Sequence, residues 1–165
     1  MSLCLKRQSI RNYSTKPIEE EKIEALLKSA MQAPSARNQQ PWEFYVIKNR
    51  KIIDRLSEVS PGARHLKGAP LAIMPLMKAE APAPDMRPQD LSAATQNILL
   101  EVTNQGLGAV WIGVYPKSER LEAIHKIIDI PKDLIPFSLI AIGYPESESS
   151  PKALRYDTNR VKVIE

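Results

Sequence analysis

At 165 residues, 43% hydrophobic and 25% charged, the chain has the size and composition of a single domain, residues 1–165, able to bury its own core. Its one cysteine, Cys4, excludes an internal disulfide and a cysteine-based metal site. The net charge of +4 gathers only at the ends, as Lys6, Arg7 and Arg11 and as Lys152, Arg155 and Arg160, which suits one phosphate group better than a nucleic acid; either cluster alone also reads as solvated surface.

The opening "MSLCLKRQSIRNYS" lacks the apolar core of a signal peptide, and no later run reaches the roughly 20 apolar residues of a spanning helix. A cytoplasmic chain with no membrane contact is the expectation. After Pro17, Ile23, Leu26, Leu27 and Ala30 recur at helical spacing behind three glutamates that suit a helix N-terminus, predicting a helix over 18–32. The connection that follows, "APSARNQQPW", carries Arg, Asn and two Gln where ordinary turn chemistry would suffice, and so reads as a binding surface.

"WEFYVI" predicts a strand, Lys51 to Val59 a short helix, and "APLAIMPLM" an apolar strand that Pro75 would confine to an edge or a bulge. A Pro-rich loop spans 78–90. From about Gln89 to Gln105, Leu91, Ala94, Ile98, Leu99 and Val102 predict a long central helix ended by Gly106. "GAVWIGVY" fits a short strand or a loop. "KSERLEAIHKIIDI" predicts a helix with a Ser118 cap, and "IPFSLIAIGYP" a strand buried on both faces; an irregular polar tail closes the chain.

Familiar chemistries lack their residues. His65 and His125 stand far apart with no ligand-spaced partners, no G-x-S-x-G or P-loop is present, and "GLGAVWIG" follows a helix instead of opening one. An enzyme so equipped takes its chemistry from an organic cofactor.

"KRQSIRNYS", "APSARNQQPWEFYVI", "DLSAATQNILLEVTNQGLGAVWIG" and "AIGYP" before a basic tail occur in the order and spacing of the nitroreductase family, whose short members the chain resembles over nearly its whole length. The resemblance implies an α+β fold with a central, mainly antiparallel sheet flanked by helices, an interlocked homodimer, and one FMN at each of two interface sites. R-x-S-x-R can place Arg7, Ser9 and Arg11 on one side of an extended segment. By similarity, Arg7 and Ser9, with Gln8 between them, meet the phosphate or ribityl chain. Arg11 approaches the N1 and C2 edge of the ring, where positive charge stabilises the reduced, anionic flavin.

Pro34, Ser35, Ala36 and Asn38 would complete the partner's site, while Pro41 and Trp42 serve as turn and core anchor and Gln40 supports the loop. Arg37 stays open between cofactor, substrate and interface. Trp111, Ile112 and Gly113 would lie along the flavin, and Arg155, with Lys152, would close on its phosphate. Gln96 and Asn97 are set aside as amides that satisfy buried groups.

The implied activity is an FMN-dependent NAD(P)H oxidoreductase working by a ping-pong mechanism on a nitroaromatic, quinone or other electron-poor acceptor. The alternative is a flavin carrier or storage protein without turnover. Nothing in the sequence separates NADH from NADPH. Where longer family members insert helices that roof the site, this chain has only the Pro-rich loop.

Overall fold

The computed structural model describes residues 2–147, 150 and 152–165. In chain order it forms α1 (Leu3–Lys6), α2 (Glu20–Met31), β1 (Trp42–Ile47), α3 (Arg50–Leu56), β2 (Leu71–Lys78), α4 (Arg87–Asn104), β3 (Gly108–Gly113), α5 (Ser118–His125), β4 (Leu134–Pro136) and β5 (Ser138–Gly143), with short 3-10 turns between some of them. The sheet runs β1-β2-β5-β3, every pairing of these strands is antiparallel, and β4 also pairs with β2.

The sheet is covered on both faces, which explains its composition. Antiparallel strands with one wet face alternate apolar and polar residues, whereas β5 is buried throughout and β2 from Leu71 to Met77. Ala72, Met74, Leu76, Leu139 and Ala141 join the core beneath α3 and α5. Leu71, Ile73, Ile140 and Ile142 face the other way, onto Leu26 and Ala30 of α2 and Ile98 and Val102 of α4. The periodic residues of the two longest helices are therefore the ones that seal this layer.

Of the edge or bulge expected for Pro75 the structure has the bulge: β2 is interior, between β1 on one side and β5 with β4 on the other, and between Leu76↔Pro136 and Ile73↔Ile140 the neighbouring chain carries one extra residue. The Pro75 carbonyl accepts from Phe137 N at 2.9 Å, and Phe137 is the residue that separates β4 from β5. In an antiparallel ladder a residue's N and O point the same way, so the donor that proline lacks falls at this break. Other sequence expectations need correction. The predicted strand 135–145 is two strands. Ser118 is the first helical residue of α5, and the N-cap is Lys117, whose carbonyl accepts from Arg120 N and Leu121 N at 3.1 Å each. α5 stops at His125 instead of reaching 130. α4 ends as anticipated, on Gly106 at φ +70°, a conformation glycine adopts without strain.

Candidate cofactor site

The N-terminal segment is held in place by close packing at two glycines. Beyond α1 the chain is extended, Ser9 bridges Ala109 of β3 in parallel, and Ile10 N donates to Ala109 O at 2.9 Å. A Cβ on Gly108 would lie 2.7 Å from Ile10 Cβ, and one on Gly143 would lie 2.8 Å from both Pro70 Cδ and Tyr13 Cβ. Only hydrogen at these positions lets the segment approach so closely. The single proton of the Tyr13 hydroxyl is directed to the Ile10 carbonyl (2.6 Å), with the Ala141 carbonyl at 3.1 Å, and burial pushes its pKa up, so it remains a neutral donor. In this parallel register Arg7 to Arg11 run alongside Leu107 to Trp111.

Arg7 is half-buried and faces a cleft of about 520 Å³. Cys4 and Leu5 line it beside Arg7, and the tail closes it with Lys152, Arg155 and Tyr156. The two ends of the chain therefore bring three cations around one space, able to form charge-assisted hydrogen bonds to a phosphate. Gln8 Nε2 approaches Ser150 O at 3.5 Å, a weak tie between the same two segments. Arg160 does not line this cleft and pairs with Asp157 at 3.3 Å.

Arg11 is exposed, with Nη1 3.5 Å from Ser9 O. Burial, reinforced by the positive charges of Arg64 and Arg11, holds the His65 imidazole below its usual pKa. The 3-10 turn Pro61–Gly68 thus brings His65 within the field of Arg11, which sequence reasoning missed. No sequence periodicity links positions 11 and 65; the packing of that turn against β3 and β5 does.

The loop 34–40 is strained and braced. Arg37 and Asn38 (both φ 53°) and Gln40 (φ 45°) are left-handed without being glycine, a state that costs on the order of 1–3 kcal/mol per residue and persists only where surroundings impose it. Ser35 Oγ accepts from Gln40 N at 3.0 Å, and Gln40 Nε2 donates to Asn38 Oδ1 at 3.1 Å. The main brace is the buried Asp90, which accepts from Ala36 N at 2.9 Å and from Gln39 Nε2 at 2.6 Å. Gln39, more than Gln40, carries the loop. Pro34 is exposed, whereas Pro41 and Trp42 are buried and Trp42 packs with Ala33, Met77, Leu91 and Phe137, the anchor role expected of it. Asp90 escaped notice because an acid in a helix's first turn ordinarily reads as a solvated partner of the dipole.

On β3, Trp111 is half-buried on the α4 side, 5.9 Å between ring centroids from Phe137. Ile112 points into the opposite core, so only its backbone faces outward. Gly113 is exposed and a Cβ there would meet no atom within 4 Å, while its carbonyl accepts from Arg120 Nη1 at 2.6 Å.

The structure thus sets Ser9 to Arg11 beside β3, and Arg7 with Lys152 and Arg155 around one cleft. Among the described residues, no hydrogen bond or ion pair joins Ser35, Ala36 or Asn38 to those groups. Set-aside Asn97 does satisfy a backbone group, donating to Ser29 O at 3.0 Å. Among the described residues no group of His, Cys, Asp and Glu could hold a metal, and no helix is long and apolar enough to cross a membrane.

The sequence profile of the Nitroreductase family matches residues 4–63 and 61–144. A relative from Archaeoglobus fulgidus, provisionally named NADH dehydrogenase/NAD(P)H nitroreductase, is 44% identical over 154 residues, covering 90% of this chain and 88% of the relative. A provisionally named NADH oxidase from Clostridium acetobutylicum superposes with a TM-score of 0.96 at 45% identity, over 99% of both chains. A provisionally named nitroreductase from a Desulfovibrio desulfuricans subspecies, solved in complex with FMN, superposes at 0.82 with 27% identity, over 99% of this chain and 94% of the other.

Proposed function

This chain belongs to the nitroreductase family, and on that premise we propose that it is an FMN-dependent NAD(P)H oxidoreductase acting as a homodimer. The observation that carries the reading is the cleft in which Arg7 meets Lys152 and Arg155. Three cations from opposite ends of the chain fit a phosphate, and the open space above Gly113 leaves room for a planar ring beside Trp111.

The chemistry supplied with bound FMN is two-electron transfer through N5, from NADH or NADPH to a nitroaromatic, quinone or other electron-poor acceptor that occupies the same space in turn. The protein's own residues bind and orient. Arg7, Lys152 and Arg155 hold the phosphate, with Gln8 and Ser9 beside the ribityl chain. Arg11 places positive charge at the pyrimidine edge. Trp111 and the backbone of Ile112 and Gly113 line the ring and exclude water. Pro34, Ser35, Ala36 and Asn38 of a second copy complete the site, consistent with a loop whose polar side chains brace one another and leave Arg37 exposed.

The visible spectrum of the purified protein, chromatographic identification of released flavin, and steady-state oxidation of NADH and NADPH with menadione or nitrofurazone test this. Bound FMN with turnover is the expected result. FMN without turnover would favour a carrier, and a colourless chain that cannot be reconstituted with FMN would refute the flavin reading.

A further inference from the structure

Asp90 is 5% exposed, and among the described residues no ion pair compensates its charge. A buried carboxylate must be satisfied by hydrogen bonds, and here both donors come from one loop: Ala36 N to Oδ1 and Gln39 Nε2 to Oδ2. The Gln39 amide then engages both backbone groups of Ala83, accepting from its N–H at 2.8 Å and donating to its carbonyl at 3.0 Å. Ala83 belongs to the Pro-rich loop. That loop is fastened again from α4 by Arg87, which donates to the carbonyls of Lys78 (2.7 Å), Ala79 and Pro84 (2.8 Å).

Two loops and a helix end therefore form one hydrogen-bonded block with Gln39 at its centre. The left-handed residues flank that centre, Arg37 and Asn38 before it and Gln40 after it. An extended or ordinary turn conformation there would move either Ala36 N or the Gln39 amide away from Asp90, so the clasp supplies what the unfavourable backbone needs to persist.

We infer that Asp90 and Gln39 are positioning residues: they impose the backbone that presents Ser35, Arg37 and Asn38, and lock the Pro-rich loop to it, so that the cofactor side and the acceptor side of the site keep a fixed spacing. The cofactor part rests on the flavin reading above. The Pro-rich loop, with Pro82, Pro84 and Met86 exposed, is then a fixed wall of the acceptor space and not a mobile lid.

The test is a charge-preserving exchange. Asp90→Asn sets two amide donors against each other, Gln39→Glu sets two carboxylates against each other, and the Asp90→Asn/Gln39→Glu double variant restores a donor facing an acceptor at position 90 while setting a carboxylate oxygen against Ala83 O. Each single variant is expected to raise the FMN dissociation constant about tenfold or more, with part of that loss recovered in the double. In flavin-free protein, hydrogen exchange across residues 35–40 and 80–86 should quicken together in the singles and slow again in the double. Gln39→Ala, which buries no new charge, serves if the singles do not fold, and should quicken exchange in both segments.

A wild-type chain that takes up no FMN overturns the flavin reading and the cofactor role with it. If the wild type binds FMN and the singles bind it equally tightly, or exchange in the two segments stays at wild-type rates, the clasp alone is overturned.

Discussion

Gly108→Ala should loosen the N-terminal segment and the cofactor site together. The new methyl would sit 2.7 Å from Ile10 Cβ and Cγ2 and 2.9 Å from Cγ1. Ile10 Cβ is fixed by its own backbone, so the segment must retreat by about 1 Å to reach ordinary carbon contact. Such overpacking costs about 1–3 kcal/mol, and stretching the 2.9 Å bond from Ile10 N to Ala109 O costs about 1 kcal/mol more. A loss of about 2–4 kcal/mol is large against the 5–15 kcal/mol typical of a domain and should lower the urea midpoint by about 1 M. The assay is urea unfolding of flavin-free protein at one fixed concentration, since association shifts apparent stability. Gly113→Ala is the control, because nothing lies within 4 Å of the added atom. Since Arg7 lies three residues before Ile10, Gly108→Ala should also weaken FMN binding in titration. A Gly108→Ala midpoint equal to that of Gly113→Ala would show that Ile10 is not seated on this glycine.

Arg7→Ala and Arg155→Ala should each weaken FMN binding by about 1.5–3 kcal/mol with little change in flavin midpoint potential, because their contacts are with the phosphate end. Arg11→Ala should instead lower the potential, which potentiometric titration of the reconstituted variants reads directly; a shift in Arg7→Ala but not in Arg11→Ala would reverse the assignment. The Tyr144 hydroxyl, which donates to Glu19 Oε2 at 2.6 Å, is the main cause holding that carboxyl down to about 2, with a smaller contribution from Lys16. A depressed carboxylate stabilises above its unfolded value near 4.5 and loses that contribution as pH falls toward 2, so the stability gap between wild type and Tyr144→Phe in urea should be wider at pH 7 than at pH 3. Cys4 is exposed where it lines the cleft, and serine matches it closely in shape, so Cys4→Ser should keep wild-type turnover.

The helices α2 and α4 and the strand β1 were legible in the sequence because each rests on a local period and a local stop: Ile23 with Leu26 and Ala30, Leu91 through Val102 before Gly106, and "WEFYVI" after a proline. The terminal cations were legible as residue types, and their order along the chain carried the resemblance to the nitroreductase family. That Arg7 meets Lys152 and Arg155, however, depends on the two ends of the chain converging, which no local pattern encodes. Gly108 and Gly143 likewise read as ordinary strand glycines until Ile10 and Tyr13 are laid across them. Pro75 could be interior only because Phe137 breaks the neighbouring strand opposite it, and Asp90 is buried only because the backbone of Ala36 and the amide of Gln39 come to it from 54 and 51 residues away. Periodicity and turn chemistry act between near neighbours and so determined the elements. Steric fit and the satisfaction of buried polar groups act between residues distant in the chain, and these only the tertiary structure decided.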